Sequence, residues 1–216
     1  SQFMYSVAAT PPWSLWDGKD YKNMSDQDEA KFRMIEYHKW KFKAKIFSPL
    51  APLTVKRTPV LMTRVEYGFL GSYNKYKKSP FETFYMGGDG MSGYSSTYAT
   101  ETIGLRGYEN GSIAGNGGYN SYGYAYSRLS MELRYPFLLE PSSTIYGLVF
   151  VEAGNAWRDL KDFNPFQLKR SAGVGVRIFL PMIGLMGIDW AYGFDRPDGY
   201  DQRGGSNFHF IIGQEF

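Results

Sequence analysis

Apolar and polar residues alternate with a period of two along much of the chain, the signature of a strand with a different environment on each face. Segment 128–135, RLSMELRY, is the clearest. Leu129, Met131, Leu133 and Tyr135 take one face, and Arg128, Ser130, Glu132 and Arg134 the other. Segment 38–47 sets Trp40, Phe42, Ala44 and Ile46 against Lys39, Lys41, Lys43 and Lys45. Segment 61–69 sets Leu61, Val65, Tyr67 and Phe69 against Arg64, Glu66 and Gly68. In 171–180, Ala172, Val174, Val176, Ile178 and Leu180 oppose Gly173, Gly175 and Arg177. In 184–194, Met186, Ile188, Trp190, Tyr192 and Phe194 oppose Gly187, Asp189, Ala191 and Gly193. The last ten residues place Phe208, Phe210, Ile212 and Phe216 opposite Asn207, His209, Gly213 and Glu215. Segments 2–10 and 144–157 are strands of less regular pattern, and together these predict eight.

A soluble sandwich and a membrane barrel both use this alternation. The polar face favours the barrel: it mixes small residues with charges of both signs, as a crowded aqueous lumen requires, while the apolar face runs full length and is aromatic near strand ends. The connections agree. Linkers 180–184, 135–143 and 48–58 are short, whereas 195–206, 158–170, 71–123 and 11–33 are long. Short turns at one end and long extracellular loops at the other are the plan of an outer-membrane barrel, and they put the C-terminus on the periplasmic side.

Composition narrows the function classes. Aromatics reach 18%, there is no Cys, and the net charge is +3, too small to suggest nucleic-acid binding by itself. The missing Cys removes disulfide frameworks and thiolate metal sites. No signal-peptide pattern is visible. No run reaches the ~20 apolar residues of a spanning helix, but spanning strands need only ~9–11. A mean hydropathy of -0.38 with abundant Tyr and Phe suits such strands.

Four features carry candidate chemistry. The lysines of 38–47 lie on the opposite face from Trp40 and Phe42, whereas single-stranded nucleic acid needs both on one face; they read as a lumen wall. Asp189 and His209 both face inward on neighbouring strands, so an Asp-His hydrolytic pair is conceivable. The chain holds only two His and has no serine nucleophile motif or metal-ligand cluster. A structural hydrogen bond is therefore the expectation, with no catalytic residue, metal or cofactor. FYMGGDG at 84–90 reads as a tight turn and lacks the Lys-Ser/Thr ending of a phosphate loop. Finally, IGLRGYENGS at 103–112 offers Arg106, whose planar five-donor fork can pair with the inward-facing Glu132 and Glu152.

In this order, FYMGGDG, LRGY, ELRYPF, FVEAGNAW, SAGVGVRIFLPMIGLMGIDW and HFIIGQEF resemble the C-terminal half of the barrel of BamA-type outer-membrane insertases. The likeness is specific over about 84–216 and looser over 1–83. The Gly-rich insertion around 111–120 and Tyr in place of Phe after Arg-Gly depart from the family's pattern. The resemblance implies an all-β, antiparallel transmembrane barrel. Residues 1–216 supply the eight C-terminal strands of roughly sixteen, within the range of outer-membrane barrels, and the POTRA domains lie outside this chain. Arg106, Gly107 and Tyr108 correspond to the motif of the family's long extracellular loop, here 71–123, and Glu132 and Glu152 to its lumenal acids. Phe208, Phe210, Ile212, Gly213 and Phe216 correspond to the closing strand and its β-signal, with the bend at Gly213.

The implied function is insertion and folding of β-barrel proteins into the bacterial outer membrane. A weakly zipped seam would accept a client strand by β-augmentation, and a short closing strand would thin the bilayer. The implied partners are unfolded outer-membrane proteins, outer-membrane lipid and accessory lipoproteins of an assembly complex, with no nucleic acid. A TamA-like or two-partner-secretion translocation barrel, a small outer-membrane barrel enzyme using His209–Asp189, and a soluble binding sandwich stay open at this stage.

Overall fold

The computed structural model describes residues 1–25, 28–52, 54, 57–91, 101–113, 122–140, 142–182 and 184–213. Eight antiparallel strands form one sheet: β1 (Gln2–Ala9), β2 (His38–Pro49), β3 (Val60–Gly71), β6 (Ala125–Glu140), β7 (Ser143–Trp157), β8 (Lys169–Leu180), β9 (Gly184–Gly193) and β10 (Gly205–Ile212). Each pairs with its sequence neighbour in this series, so the order is β1-β2-β3-β6-β7-β8-β9-β10. Among the described residues, the outermost strands β1 and β10 have one ladder partner each. The eight predicted strands are thus all present. Among the described residues no helix is long and apolar enough to cross a membrane.

The structure adds elements that alternation did not predict. The connection from β3 to β6 contains two short strands, β4 (Phe84–Met86) and β5 (Glu101–Ile103), paired in parallel. Two one-turn helices, α1 (Trp13–Trp16) and α2 (Glu29–Phe32), lie between β1 and β2. β6 also runs beyond the expected 128–135 segment, through Pro136 to Glu140. Pro has no N–H to give a ladder and is tolerated in sheets at irregularities, and the β6–β7 register shifts between Pro136 and Leu138.

Burial along the strands is inverted relative to a soluble protein. On β2, Trp40, Phe42 and Ile46 are exposed while Lys39 is buried. On β10, Phe208, Phe210 and Ile212 are exposed while His209 and Ile211 are buried. An apolar outer surface of this extent is covered by lipid, not water. The inner face is concave enough that Gln2 and Met4 of β1 and Ile211 of β10 line one cavity.

The main apolar core lies between the sheet and the β3–β6 connection. Leu70, Tyr126 and Ala156 of the sheet pack with Phe84, Met86, Ile103, Leu105, Tyr108 and Ile113 of the connection, all buried. Full burial of such side chains stabilises by roughly 1.5–3 kcal/mol each, so the sheet's inner face and the connection are mutually dependent.

Candidate functional site

The β3–β6 connection is held together by its own bonds as well as by the wall. Isolated bridges join Phe84 to Gly123 and Gly88 to Leu105. Ile113 N–H donates to the Met86 carbonyl at 3.1 Å, and Tyr85 Oη donates to the Asn110 carbonyl at 3.1 Å. These bonds satisfy backbone groups that burial would otherwise leave unpaired, and they present Arg106 as the tip directed at the sheet.

Arg106 is fully buried. Its Nη2 donates to Glu132 Oε1 at 2.5 Å and to Glu152 Oε1 at 2.8 Å, and its Nη1 donates to Asp189 Oδ2 at 2.9 Å. Its backbone N–H adds a bond to Glu152 Oε2 at 2.9 Å. The guanidinium carbon lies 3.5 Å from the centroid of the Phe150 ring, a stacking geometry that suits Arg and not Lys. One cation thereby joins β6, β7 and β9.

Each acid has a second cation from the sheet. Arg128 Nη2 donates to Glu152 Oε1 at 2.8 Å, Arg134 Nε donates to Glu132 Oε2 at 2.9 Å, and Arg177 donates twice to Asp189, at 2.6 and 2.7 Å. The Arg177–Asp189 pair needs room on the wall. A Cβ at Gly175, which is paired with Asp189, would lie 1.7 Å from Asp189 Oδ1. With every carboxylate bound to guanidinium, the arrangement is built to hold a segment in place.

Gly107 and Tyr108 extend the anchor to the last strands. Gly107 has φ of +87°, and a Cβ there would meet Gly193 N and Ser171 Cβ at 2.9 Å. Only glycine combines that backbone with that approach. Its N–H donates to His209 Nε2 at 2.9 Å, and its carbonyl accepts from Asn207 Nδ2 at 3.0 Å. Tyr108 Oη donates to the Arg170 carbonyl at 2.7 Å and accepts from Asp195 N–H at 3.3 Å.

A second anchor stands on the opposite wall. Glu101 of β5 lies 2.9 Å from Lys39 Nζ, 3.0 Å from Lys41 Nζ and 4.0 Å from Lys43 Nζ. Glu82 adds a contact to Lys39 at 3.0 Å. Burial pushes the Glu101 carboxyl up, but the ammonium groups of Lys39 and Lys41 outweigh it and hold the carboxyl below its ordinary range.

The structure therefore brings Arg106, Glu132 and Glu152 together, with Gly107 and Tyr108 alongside. Phe208, Phe210 and Ile212 lie on the outer face of β10, away from this cluster. Gly213 follows the last residue of β10 with φ of +72°, its N–H donating to the Leu185 carbonyl at 2.7 Å. Phe216 lies outside the described residues. Asp189 and His209 are cross-strand partners, yet His209 Nε2 accepts from Gly107 and both Asp189 oxygens accept from Arg106 and Arg177. The hydrogen bond expected between them is replaced by separate bonds to the connection, and the geometry is not that of a hydrolytic pair. Among the described residues no group of acids and histidines could hold a metal ion.

Sequence reading missed Asp189 as an Arg106 partner, and it missed the arginines behind each acid. Their signal was present, since the alternation places Arg128, Arg134, Asp189 and Arg177 on the inner face. Glu101 was missed as well. A row of lysines on a lumen wall requires a counter-charge, but nothing local in the sequence says which acid supplies it.

A search of curated proteins gives no match. Among solved structures, the chain is similar to BamA from Haemophilus ducreyi lacking POTRA domains 1–3, with a TM-score of 0.55 at 20% identity. The match covers 81% of this chain and 34% of that one, so the chain spans about a third of the length of this relative. At that identity the likeness shows the fold, that of an outer-membrane β-barrel. The Omp85 superfamily domain matches residues 31–216. With the inverted burial, the antiparallel eight-stranded sheet and the anchored connection, this shows that the chain belongs to the Omp85 superfamily, whose members insert or translocate proteins at the outer membrane.

Proposed function

We propose that this chain is the C-terminal barrel portion of an insertase that folds client β-barrel proteins into the outer membrane. The observation that carries this reading is the anchor: a loop arginine fully buried against acids from three strands. Such an anchor stiffens β6 to β9 from inside, up to the strand that pairs with the closing strand β10. A wall held stiff up to the closing strand suits strand templating at a weakly zipped seam, because a loosened edge would offer its N–H and C=O groups to an incoming strand. Among the described residues β10 is also short, eight residues against sixteen in β6, and its ladder ends before Gly213, which lies in the left-handed region. A short strand at the seam favours local thinning of the bilayer.

In this reading the long connections are extracellular and the C-terminus is periplasmic. The partners are unfolded outer-membrane proteins, outer-membrane lipid and accessory lipoproteins, and no covalent chemistry is required. A translocation barrel of the TamA or two-partner-secretion type would instead pass its client along the lumen. The docked connection occupies the inner face there, which supports a lateral route over an axial one.

The test uses the full-length protein. Arg106→Ala and Arg106→Lys should both lower assembly of client barrels, read as loss of their heat-modifiable folded form. Normal client assembly with both variants would overturn the proposal. Residues 1–216 contain no Cys, so Phe210→Cys, with any cysteine elsewhere in the full-length protein replaced, gives a unique thiol for cross-linking. It should capture the terminal strand of a stalled client carrying a single cysteine, whereas capture of a soluble secreted client in transit would favour translocation.

A further inference from the structure

A cavity of about 280 Å³ lies between the sheet's inner face and the docked connection. Its charged lining is Lys43 and Lys45 of β2, Arg64 and Glu66 of β3, Arg128 of β6 and Asp89 of the connection, four cations against two acids. Arg64 is the unusual member. It is 3% exposed, and its Nε and Nη2 have no hydrogen-bond partner among the described residues. Glu66 Oε1 lies 3.8 Å from Nε, close enough for attraction and too far for a hydrogen bond. The other buried arginines, Arg128 and Arg177 of the sheet and Arg106 of the connection, are each bonded to a carboxylate.

Buried guanidinium donors left without acceptors are costly, and the adjoining space is far larger than the ~30 Å³ share of one water. The vacant donors form one side of a planar fork, whose matching ligand is a pair of oxygens on a phosphate or carboxylate. Arg128 is also bonded to Glu152 and Lys43 lies 4.0 Å from Glu101, so the surrounding positive charge is a secondary aid and the vacant fork of Arg64 is the primary one. We infer that this lumenal cavity is a binding site for a phosphate-class oxyanion, held by Arg64 with Lys43, Lys45 and Arg128 supplying the surrounding positive charge. Gly90, Met91, Thr102, Ile103 and Gly104 of the connection form the facing side, with Gln2 and Met4 of β1 and Ile211 of β10 at the margins, so the site exists only while the connection is docked. Anion binding and docking are therefore linked, and each strengthens the other. The inference does not depend on the insertase reading.

The experiment is thermal unfolding of the full-length protein in neutral detergent, read by heat-modifiable mobility, with limited proteolysis of the 72–124 connection in parallel. Inorganic phosphate is titrated against potassium chloride at matched ionic strength, and glycerol 3-phosphate serves as a soluble stand-in for a lipid headgroup. Phosphate at a hundredfold excess over Kd should raise the midpoint by at least about 2 °C, saturably, and slow cleavage of the connection. An equal response to both probes assigns the site to the free anion, and a response to glycerol 3-phosphate at much lower concentration assigns it to a headgroup. Arg64→Gln should abolish the response. Arg64→Lys, which keeps the charge without the fork, should weaken apparent affinity about tenfold, and it keeps the test decisive if Arg64→Gln does not fold. A phosphate effect no larger than that of chloride, or one that survives Arg64→Gln, overturns the site.

Discussion

Glu101 and Arg106 lie close together on the same connection and hold opposite walls of the sheet. Glu101 is an acid set against the lysines of β2, whereas Arg106 is a base set against acids of β6, β7 and β9. The chemistry is complementary but the surroundings differ. The side chain of Glu101 is 24% exposed and those of Lys41 and Lys43 are 26% and 30% exposed, while Arg106, Glu152 and Asp189 are at 0%. Water and mobile ions screen the Lys41 and Lys43 contacts, which contribute little, while Lys39, 5% exposed, is the sheltered member of the set. The second set is dry, so its charges are costly to bury and much costlier to leave unpaired. The Glu101 anchor is adjustable; the Arg106 anchor is close to all-or-none.

The largest expected effect comes from breaking the dry side. Arg106→Ala leaves Glu132, Glu152 and Asp189 with only Arg134, Arg128 and Arg177 as respective partners, and removal of one partner from a buried ion pair typically costs about 3–5 kcal/mol. The connection should become protease-sensitive and the unfolding midpoint should fall. Arg106→Lys keeps the charge but loses the fork and the stack on Phe150, and it should recover only part of that loss.

Gly107→Ala probes the same side through the backbone. The φ of +87° and a Cβ at 2.9 Å from Gly193 N demand a backbone shift, for a loss of roughly 1–3 kcal/mol. A stability equal to wild type would show that the close approach to β9 is not needed.

Glu101→Gln should cost less than Arg106→Ala, because Glu82 still faces the buried Lys39, and the part carried by Lys41 and Lys43, about 0–1 kcal/mol each, should shrink as salt is raised. Arg106→Ala should remain damaging at high salt. If both variants responded to salt alike, the contrast between a wet wall and a dry wall would fail.

Acid is the mildest perturbation. The Glu101 carboxyl sits below its unfolded value, so its contribution is complete above the unfolded pKa and is lost as pH falls through the folded one. Cleavage of the connection in wild type should rise slightly below the ordinary glutamate range, about pH 4.3, and the Glu101→Gln variant should lack that increment.

The eight strands were legible in the chain because the side-chain period of a strand is local. RLSMELRY assigns Glu132 inward without knowledge of its neighbours, and the same alternation turned Arg177 and Asp189 inward. The long connection was legible only as a connection. Its two parallel strands pair segments far apart in sequence, and three-residue strands are too short to show a period. The continuation of β6 through Pro136 was hidden as well, since a proline in a strand reads as a stop unless a register shift accommodates it.

The sequence by itself determined which residues share the inner face, that Arg106 was a cation in search of acids, and that Glu132 and Glu152 could serve. Only the tertiary structure decided that Asp189 joins them, that His209 turns from Asp189 to the Gly107 amide, and that Glu101 answers the lysines of β2. It also left Arg64 buried beside a cavity without a hydrogen-bonding acceptor. The physical reason is the same in each case. Periodicity fixes the direction of a side chain, but partners across a curved sheet depend on strand register and on the path of a connection, and both are set by packing distant in the chain.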